Sequence, residues 1–177
     1  MERKNLWAPW RIKYIQALTE KNPCFLCHNR EHPEEDKKNF VLWRTTKSIV
    51  VFNKFPYNNG HLLIAPKRHI PDLSQANQDE MADMMNLIRD CQTMLTATIK
   101  PHGFNVGMNF GRCAGAGLPD HLHIHVVPRW DGDTNFMHVC SDTDVISQSM
   151  NDLYDMLIET GKKLGLPTGL ENDISKG

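Results

Sequence analysis

The sequence predicts an α+β domain organised around an antiparallel sheet. Strand-like runs cluster ahead of one long amphipathic helix, further strand-like runs follow it, and a second helical pattern closes the order. Runs of strands followed by runs of helices lack the regular alternation of a doubly wound parallel fold.

The stretch from His28 to Asn39 is polar and charged and reads as an exposed loop, so the ordered core is expected to begin near Phe40. Phe40 to Arg44 and Ser48 to Asn53 are rich in β-branched and aromatic residues around a Thr-Thr-Lys turn, which predicts a hairpin. Phe55 to Gly60 is dense in turn formers, and His61 to Ala65 follows as a strand stopped by Pro66. Asn77 with Glu80 three residues on forms a capping-box pattern. Met81, Met84, Met85, Ile88, Cys91, Leu95 and Ile99 then recur at helical spacing, and Pro101 and Gly103 end the helix. Phe104 to Phe110 and His121 to Val127 are two further strands around a glycine-rich loop. Ser141 with Asp144 is read as the cap of a second helix, with Ile146, Met150, Leu153 and Leu157 on its buried face.

Composition excludes several classes. With 177 residues, 40% hydrophobic and 23% charged, the chain suits one soluble globular domain. Its longest apolar runs fall far short of the ~20 residues that span a bilayer, so no membrane partner is expected. A formal charge of -1 disfavours nucleic acid held by phosphate neutralisation. The N-terminal Met1 to Trp10 has no apolar signal region or cleavage site, which points to the cytoplasm. The odd set of five cysteines then reads as thiols or metal ligands rather than disulfides.

The chemistry concentrates in His121-Leu122-His123-Ile124-His125. Strand alternation puts the three imidazoles on one face and Leu122, Ile124 and Val126 on the other, apolar face. A row of imidazoles packed for structure alone is costly, because every ring nitrogen needs a partner. Two functional readings remain on residue types alone: a nucleophilic or acid-base cluster, and a metal site whose ion does the chemistry. A third, resting on the family resemblance of this segment, is a nucleotide-binding regulator with vestigial catalysis.

The segment His121-Leu122-His123-Ile124-His125-Val126-Val127 resembles the signature of the histidine triad family, His-φ-His-φ-His-φ-φ with φ apolar. The resemblance extends to Asn53, Gly60, His61 and the run Ala65-Pro66-Lys67-Arg68-His69, and covers roughly Phe40 to Arg129. It implies a five-stranded antiparallel sheet with two main helices, a homodimer, and a catalytic core at 40–130 between an N-terminal arm at 1–39 and a C-terminal helical extension at 131–177. It also implies that His123, the middle histidine, attacks a nucleotide phosphorus. His125 then serves the phosphoryl oxygens and His61 supports it. A neutral imidazole can attack in this way when its other nitrogen donates a hydrogen bond that fixes the tautomer.

The loop Gly111 to Gly117 precedes these histidines, and glycines let backbone amides approach phosphate closely, which makes Gly115 and Gly117 nucleotide-binding candidates beside Asn53 and Asn109. Gly117 and Leu118 stand where many family hydrolases carry Gln followed by Ser or Thr. The run Gly115 to Trp130, with Leu6-Trp7-Ala8-Pro9-Trp10-Arg11, resembles the phosphorylase branch of the family, whose substrate is diadenosine tetraphosphate. The implied reaction is cleavage of a dinucleoside polyphosphate, an adenine nucleotide, with orthophosphate or water as acceptor.

Cys24-Phe25-Leu26-Cys27 has the spacing of half a tetrahedral zinc site. With His28 it also spells the c-type haem motif, which the expected cytoplasmic location argues against, and a thioredoxin-like pair lacks its βαβ context. Similarity to the related galactose-1-phosphate uridylyltransferases, which combine a CxxC pair with two histidines, maps a structural zinc onto Cys24, Cys27, His69 and His121.

Overall fold

The computed structural model describes residues 24–133, 146 and 148–168. The arm Leu6 to Arg11 and the capping pair Ser141 and Asp144 lie outside them. Five strands form one antiparallel sheet: β1 (Val41–Arg44), β2 (Ser48–Phe52), β3 (Leu62–Pro66), β4 (Gly103–Gly107) and β5 (Ile124–Arg129), in the order β1-β2-β3-β5-β4. Helices are α1 (Phe25–Glu31), α2 (Asp36–Asn39), α3 (Gln78–Ile99) and α4 (Met150–Leu164).

The hairpin β1–β2 turns where the Thr45 hydroxyl accepts the Ser48 N–H at 2.8 Å. An irregular register between Val41 and Trp43 turns both Leu42 and Trp43 toward the face that α3 and α4 cover. That face holds the larger core: Val50, Phe52, Leu62, Ile64, Leu122, Ile124 and Val126 meet Met84, Leu87, Cys91, Met94 and Leu95 of α3 and Leu153 and Leu157 of α4. The opposite face is apolar too, with Val41, Ile49, Val51, Leu63 and Ala65 closed over by Leu26 of α1. Strands apolar on both faces read as continuous hydrophobic runs, which β2 and β3 do.

Helix α3 begins at the expected capping box, with the Asn77 side chain accepting the Glu80 N–H and the Glu80 carboxylate accepting the Asn77 N–H. It ends one residue before a left-handed Lys100, ahead of Pro101. Met84, Ile88, Cys91 and Leu95 are buried as expected, whereas Met81 and Met85 are exposed and Leu87 and Met94 complete the buried stripe.

Two expectations are corrected. His28 to Asn39 is not an open loop: it holds most of α1, a 3-10 turn at Pro33–Glu35 and α2, with Asn29 and Asn39 buried. Arg44 explains this, because its guanidinium pairs with Asp36 and donates to the Asn29 and Arg30 carbonyls, fastening the polar segment to β1. The last helix starts at Met150 after Ser149, so Ile146 precedes it.

Candidate active site and metal centre

The histidine row lies where the chain enters β5. Ile124 is the first strand residue, so His121 and His123 sit on the lead-in rather than in the strand itself. The alternation nevertheless holds: Leu122, Ile124 and Val126 enter the helix-covered core, and the histidines take the other side. The Leu122 N–H donates to the Ile70 carbonyl at 2.6 Å, extending the restraint beyond the ladder. Within the sheet His125 lies between Leu63 of β3 and Gly107 of β4.

Each ring has a different hydrogen-bonding duty. His121 places Nε2 2.9 Å from the Pro66 carbonyl and Nδ1 3.1 Å from Cys24 Sγ. A carbonyl can only accept, so Nε2 carries the proton and Nδ1 turns its lone pair to the thiols. His123 places Nδ1 2.8 Å from the His121 carbonyl, so Nδ1 carries the proton and Nε2 is bare. His61 accepts the Tyr57 N–H at Nδ1 at 3.1 Å. Its Nε2–H therefore donates to His125 Nδ1 at 2.9 Å, which leaves the proton of neutral His125 on Nε2. That Nε2 is buried and has no partner among the described residues.

Adjacent His123 and His125 thus present opposite nitrogens: one Nε2 with a lone pair, the other with a proton, on rings 5.0 Å apart. Burial holds all these imidazoles below their ordinary pKa, His61 at about 3 with added repulsion from His125 and His123, and His125 at about 4. His123 is lowered by burial in the same way, against the opposing effect of its bond to the His121 carbonyl. The cluster is neutral at pH 7.

The other predicted nucleotide contacts divide. Asn53 joins the cluster: its Oδ1 accepts the Phe55 N–H at 3.0 Å, which turns its amide nitrogen to His61 Nδ1 at 3.3 Å. Asn109 faces Gly115 in the glycine-rich loop, where a side chain on Gly115 would lie 3.9 Å from the amide nitrogen, and Gly115 has φ +89°. Gly117 is exposed in the same loop. Tyr57 was not legible as a site residue, yet its amide sets the His61 tautomer and its ring lies 4.7 Å from that of His61 and 5.8 Å from that of His125. The only signal was its place in a turn leading to His61.

Cys24, Cys27, His69 and His121 converge as the sequence predicts, with one ligand atom from each lying within 4.8 Å of all the others. Tetrahedral zinc, at ~2.3 Å from sulfur and ~2.05 Å from nitrogen, holds such atoms roughly 3.5 Å apart. The Sγ to Nδ1 separations are 3.1 Å for Cys24 to His121, 3.3 Å for Cys27 to His69 and 3.6 Å for Cys27 to His121. Two thiols and two imidazole nitrogens, one already oriented by the Pro66 carbonyl, fit a zinc ion in donor set and in spacing. Burial pushes the Cys24 thiol up to about 11, a cost that a cation among the ligands would offset.

A five-stranded antiparallel sheet entered through alternating histidines of fixed and different tautomers defines a histidine triad protein. The chain belongs to the HIT domain family, whose sequence model matches residues 34–132. It is 34% identical over 160 residues to the AP-4-A phosphorylase of Mycobacterium tuberculosis, a match covering 87% of this chain and 82% of that one. It is 31% identical over 93 residues, 52% of this chain and 50% of the other, to the asymmetrical bis(5'-nucleosyl)-tetraphosphatase of Schizosaccharomyces pombe. A Zn-bound histidine triad family protein from Mycobacterium smegmatis shares the fold at TM-score 0.64 and 21% identity, covering 80% of this chain and 95% of that one.

Proposed function

We propose that the protein cleaves dinucleoside polyphosphates of the diadenosine tetraphosphate type by nucleotidyl transfer through His123. The observation that carries this reading is the opposed tautomers of His123 and His125. His123 Nε2 attacks the α-phosphorus of one nucleotide, forming an N–P bond as the bond from phosphorus to the bridging oxygen breaks. The His125 Nε2–H lies on the neighbouring ring, placed to stabilise the phosphoryl oxygens or protonate the leaving oxygen. His61 holds His125 in that tautomer, and Asn53, Asn109, Gly115 and Gly117 contact the nucleotide. The acceptor, orthophosphate or water, then attacks the nucleotidyl-histidine and releases His123.

The 34% identity to an AP-4-A phosphorylase supports orthophosphate as one acceptor. The hydrogen bonds direct His121, His123 and His125 to three different partners, which favours this reading over an ion held jointly by the row. Zinc bound by Cys24, Cys27, His69 and His121 would fasten α1 to the entry of β5, a structural rather than a reacting role. We further propose a homodimer working in the cytoplasm, where the thiols stay reduced.

Incubation with diadenosine tetraphosphate, with and without orthophosphate, tests the reaction. Phosphorolysis gives ADP and ATP only when phosphate is present, whereas hydrolysis at the α-phosphorus gives AMP and ATP. His123→Ala should lose at least a thousandfold in rate with unchanged circular dichroism. Retained turnover would remove His123 as nucleophile.

A further inference from the structure

Asn53 meets His61 through both its backbone and its side chain. It follows β2 directly, and its backbone N–H donates to the His61 carbonyl at 3.0 Å, so the two residues face each other across the base of the 53–60 turn. The side chain then bends back over the turn, where Oδ1 accepts the N–H of Phe55 at 3.0 Å. Asn and Asp commonly shape turns through such a bond to the backbone two residues on, and an Asp would serve it equally well. What Asn adds is the other half of its amide, an NH2 group that can only donate, 3.3 Å from His61 Nδ1.

The same Nδ1 accepts the Tyr57 N–H at 3.1 Å, so two donors converge on one lone pair. A proton on Nδ1 would oppose both of them, and His61 is fully buried, which leaves solvent unable to relieve the conflict. The direction set at Nδ1 passes along the cluster. A bare Nδ1 puts the proton of the neutral ring on Nε2, which donates to His125 Nδ1 at 2.9 Å and leaves the His125 proton on its own Nε2. Reversing the first link reverses the others. A neutral His61 protonated at Nδ1 would turn a bare Nε2 to His125, which would then hold its proton at Nδ1 and offer a phosphoryl group a lone pair in place of an N–H.

Building on the nucleotidyl-transfer reading, we infer that Asn53 is a positioning residue whose amide keeps the His61 proton on Nε2 and, through His61, the His125 proton on Nε2. These bonds use one hydrogen of the NH2 group and one lone pair of Oδ1, so this duty adds to the nucleotide contact proposed above.

The test sets Asn53→Asp, which keeps the shape and the bond to Phe55 but presents His61 with an acceptor, beside Asn53→Ala, which presents nothing. In the unliganded protein at pH 8, nitrogen chemical shifts should place the His61 proton on Nε2 in the parent and on Nδ1 in Asn53→Asp. In the parent, a coupling across the N–H···N bond should join the Asn53 amide to His61 Nδ1; its absence overturns the assignment whether or not the variants fold. On diadenosine tetraphosphate at pH 8, kcat of Asn53→Asp should fall about a hundredfold, the effect of one positioned donor, with KM within about threefold of the parent. Asn53→Ala should lose less than about tenfold in kcat, because the Tyr57 amide still faces Nδ1. A merely structural role would give the opposite order, since Asp preserves the shape and Ala does not. The carboxylate also favours a second proton on His61 as pH falls, and an imidazolium donates at both nitrogens, so the ratio of Asn53→Asp to parent kcat should rise from pH 8 to pH 6. The ionisable groups set against His61 in that titration are His123, His125 and the Tyr57 ring. An unswitched tautomer in Asn53→Asp, or a kcat loss no greater than that of Asn53→Ala, overturns the assignment. If the parent does not turn over the substrate while the tautomer switches, the transfer reading fails and the Asn53 lock stands; turnover through His123 without the switch keeps the transfer and removes the lock.

Discussion

His121 serves two neighbourhoods with two of its atoms. Its ring faces the thiols through Nδ1, and its backbone carbonyl accepts the proton that fixes His123. His61 is the corresponding joint on the other side, fully buried, with both ring nitrogens engaged. Burial, with repulsion from the neighbouring imidazoles, lowers its pKa from 6.5 to about 3, and this has a definite consequence for acid stability. Because the folded value lies below the unfolded one, the unfolded chain binds more protons between the two, so stability is fully present above pH 6.5 and drains away as pH falls toward 3. At pH 5 the share from His61 is about 2 kcal/mol, or about 4 to 8 °C in Tm for a chain of this size. Melting curves of the parent and His61→Gln between pH 7 and pH 5 should therefore converge on acidification by roughly that amount. Parallel curves would mean that His61 is solvated and the relay to His125 is not formed.

At the scale of elements, α1 and the entry to β5 are fastened together by the Cys24, Cys27, His69 and His121 group as well as by Leu26. Stripping metal from the purified protein with a chelator should lower Tm. It should also reduce kcat about tenfold to a hundredfold with KM little changed, since the His121 carbonyl loses its restraint while the nucleotide contacts remain. Arg30 donates to the Lys67 carbonyl at 2.9 Å and Arg44 grips α2, so α1 should stay docked without metal. A Tm drop with unchanged kcat would confine the metal to stability. The strands and α3 were legible in the sequence because period-2 and period-3.6 patterns and the Asn77 capping box are local signals. Helices α1 and α2 were not, because polar residues such as Asn29 and Asp36 owe their order to Arg44, far enough along the chain to leave no periodic trace. The site divides in the same way. The alternating triad and the CxxC pair stood out by residue type and spacing, and the family resemblance singled out His61 and His69, whereas Tyr57 enters through its backbone amide, which no sequence pattern reports.

At the scale of the whole molecule, the sheet formed by the described residues ends at β4, whose residues from Asn105 to Gly107 are exposed. Val106 is 42% exposed on this strand and Phe110 is 45% exposed just beyond it. At the other end of the sheet, α2 and α4 pack against β1. An edge strand with open backbone groups and apolar side chains is a template for pairing, and pairing with a second copy about a two-fold axis satisfies both strands with the same residues. Sedimentation equilibrium should therefore find a dimer of 20.3 kDa chains. In an antiparallel pairing about that axis, equivalent residues near the centre of the strand approach each other, so Val106→Glu brings like charges together and should shift the protein to monomer at low salt. High salt should partly restore the dimer, because the screening length falls to about 3 Å at 1 M, shorter than the separation of facing side chains on paired strands. Circular dichroism of the variant should match the parent, since Val106 adds little to either core. A monomeric parent, or a Val106→Glu dimer as tight as the parent's, would mean that β4 is a true edge and that each chain carries its site alone.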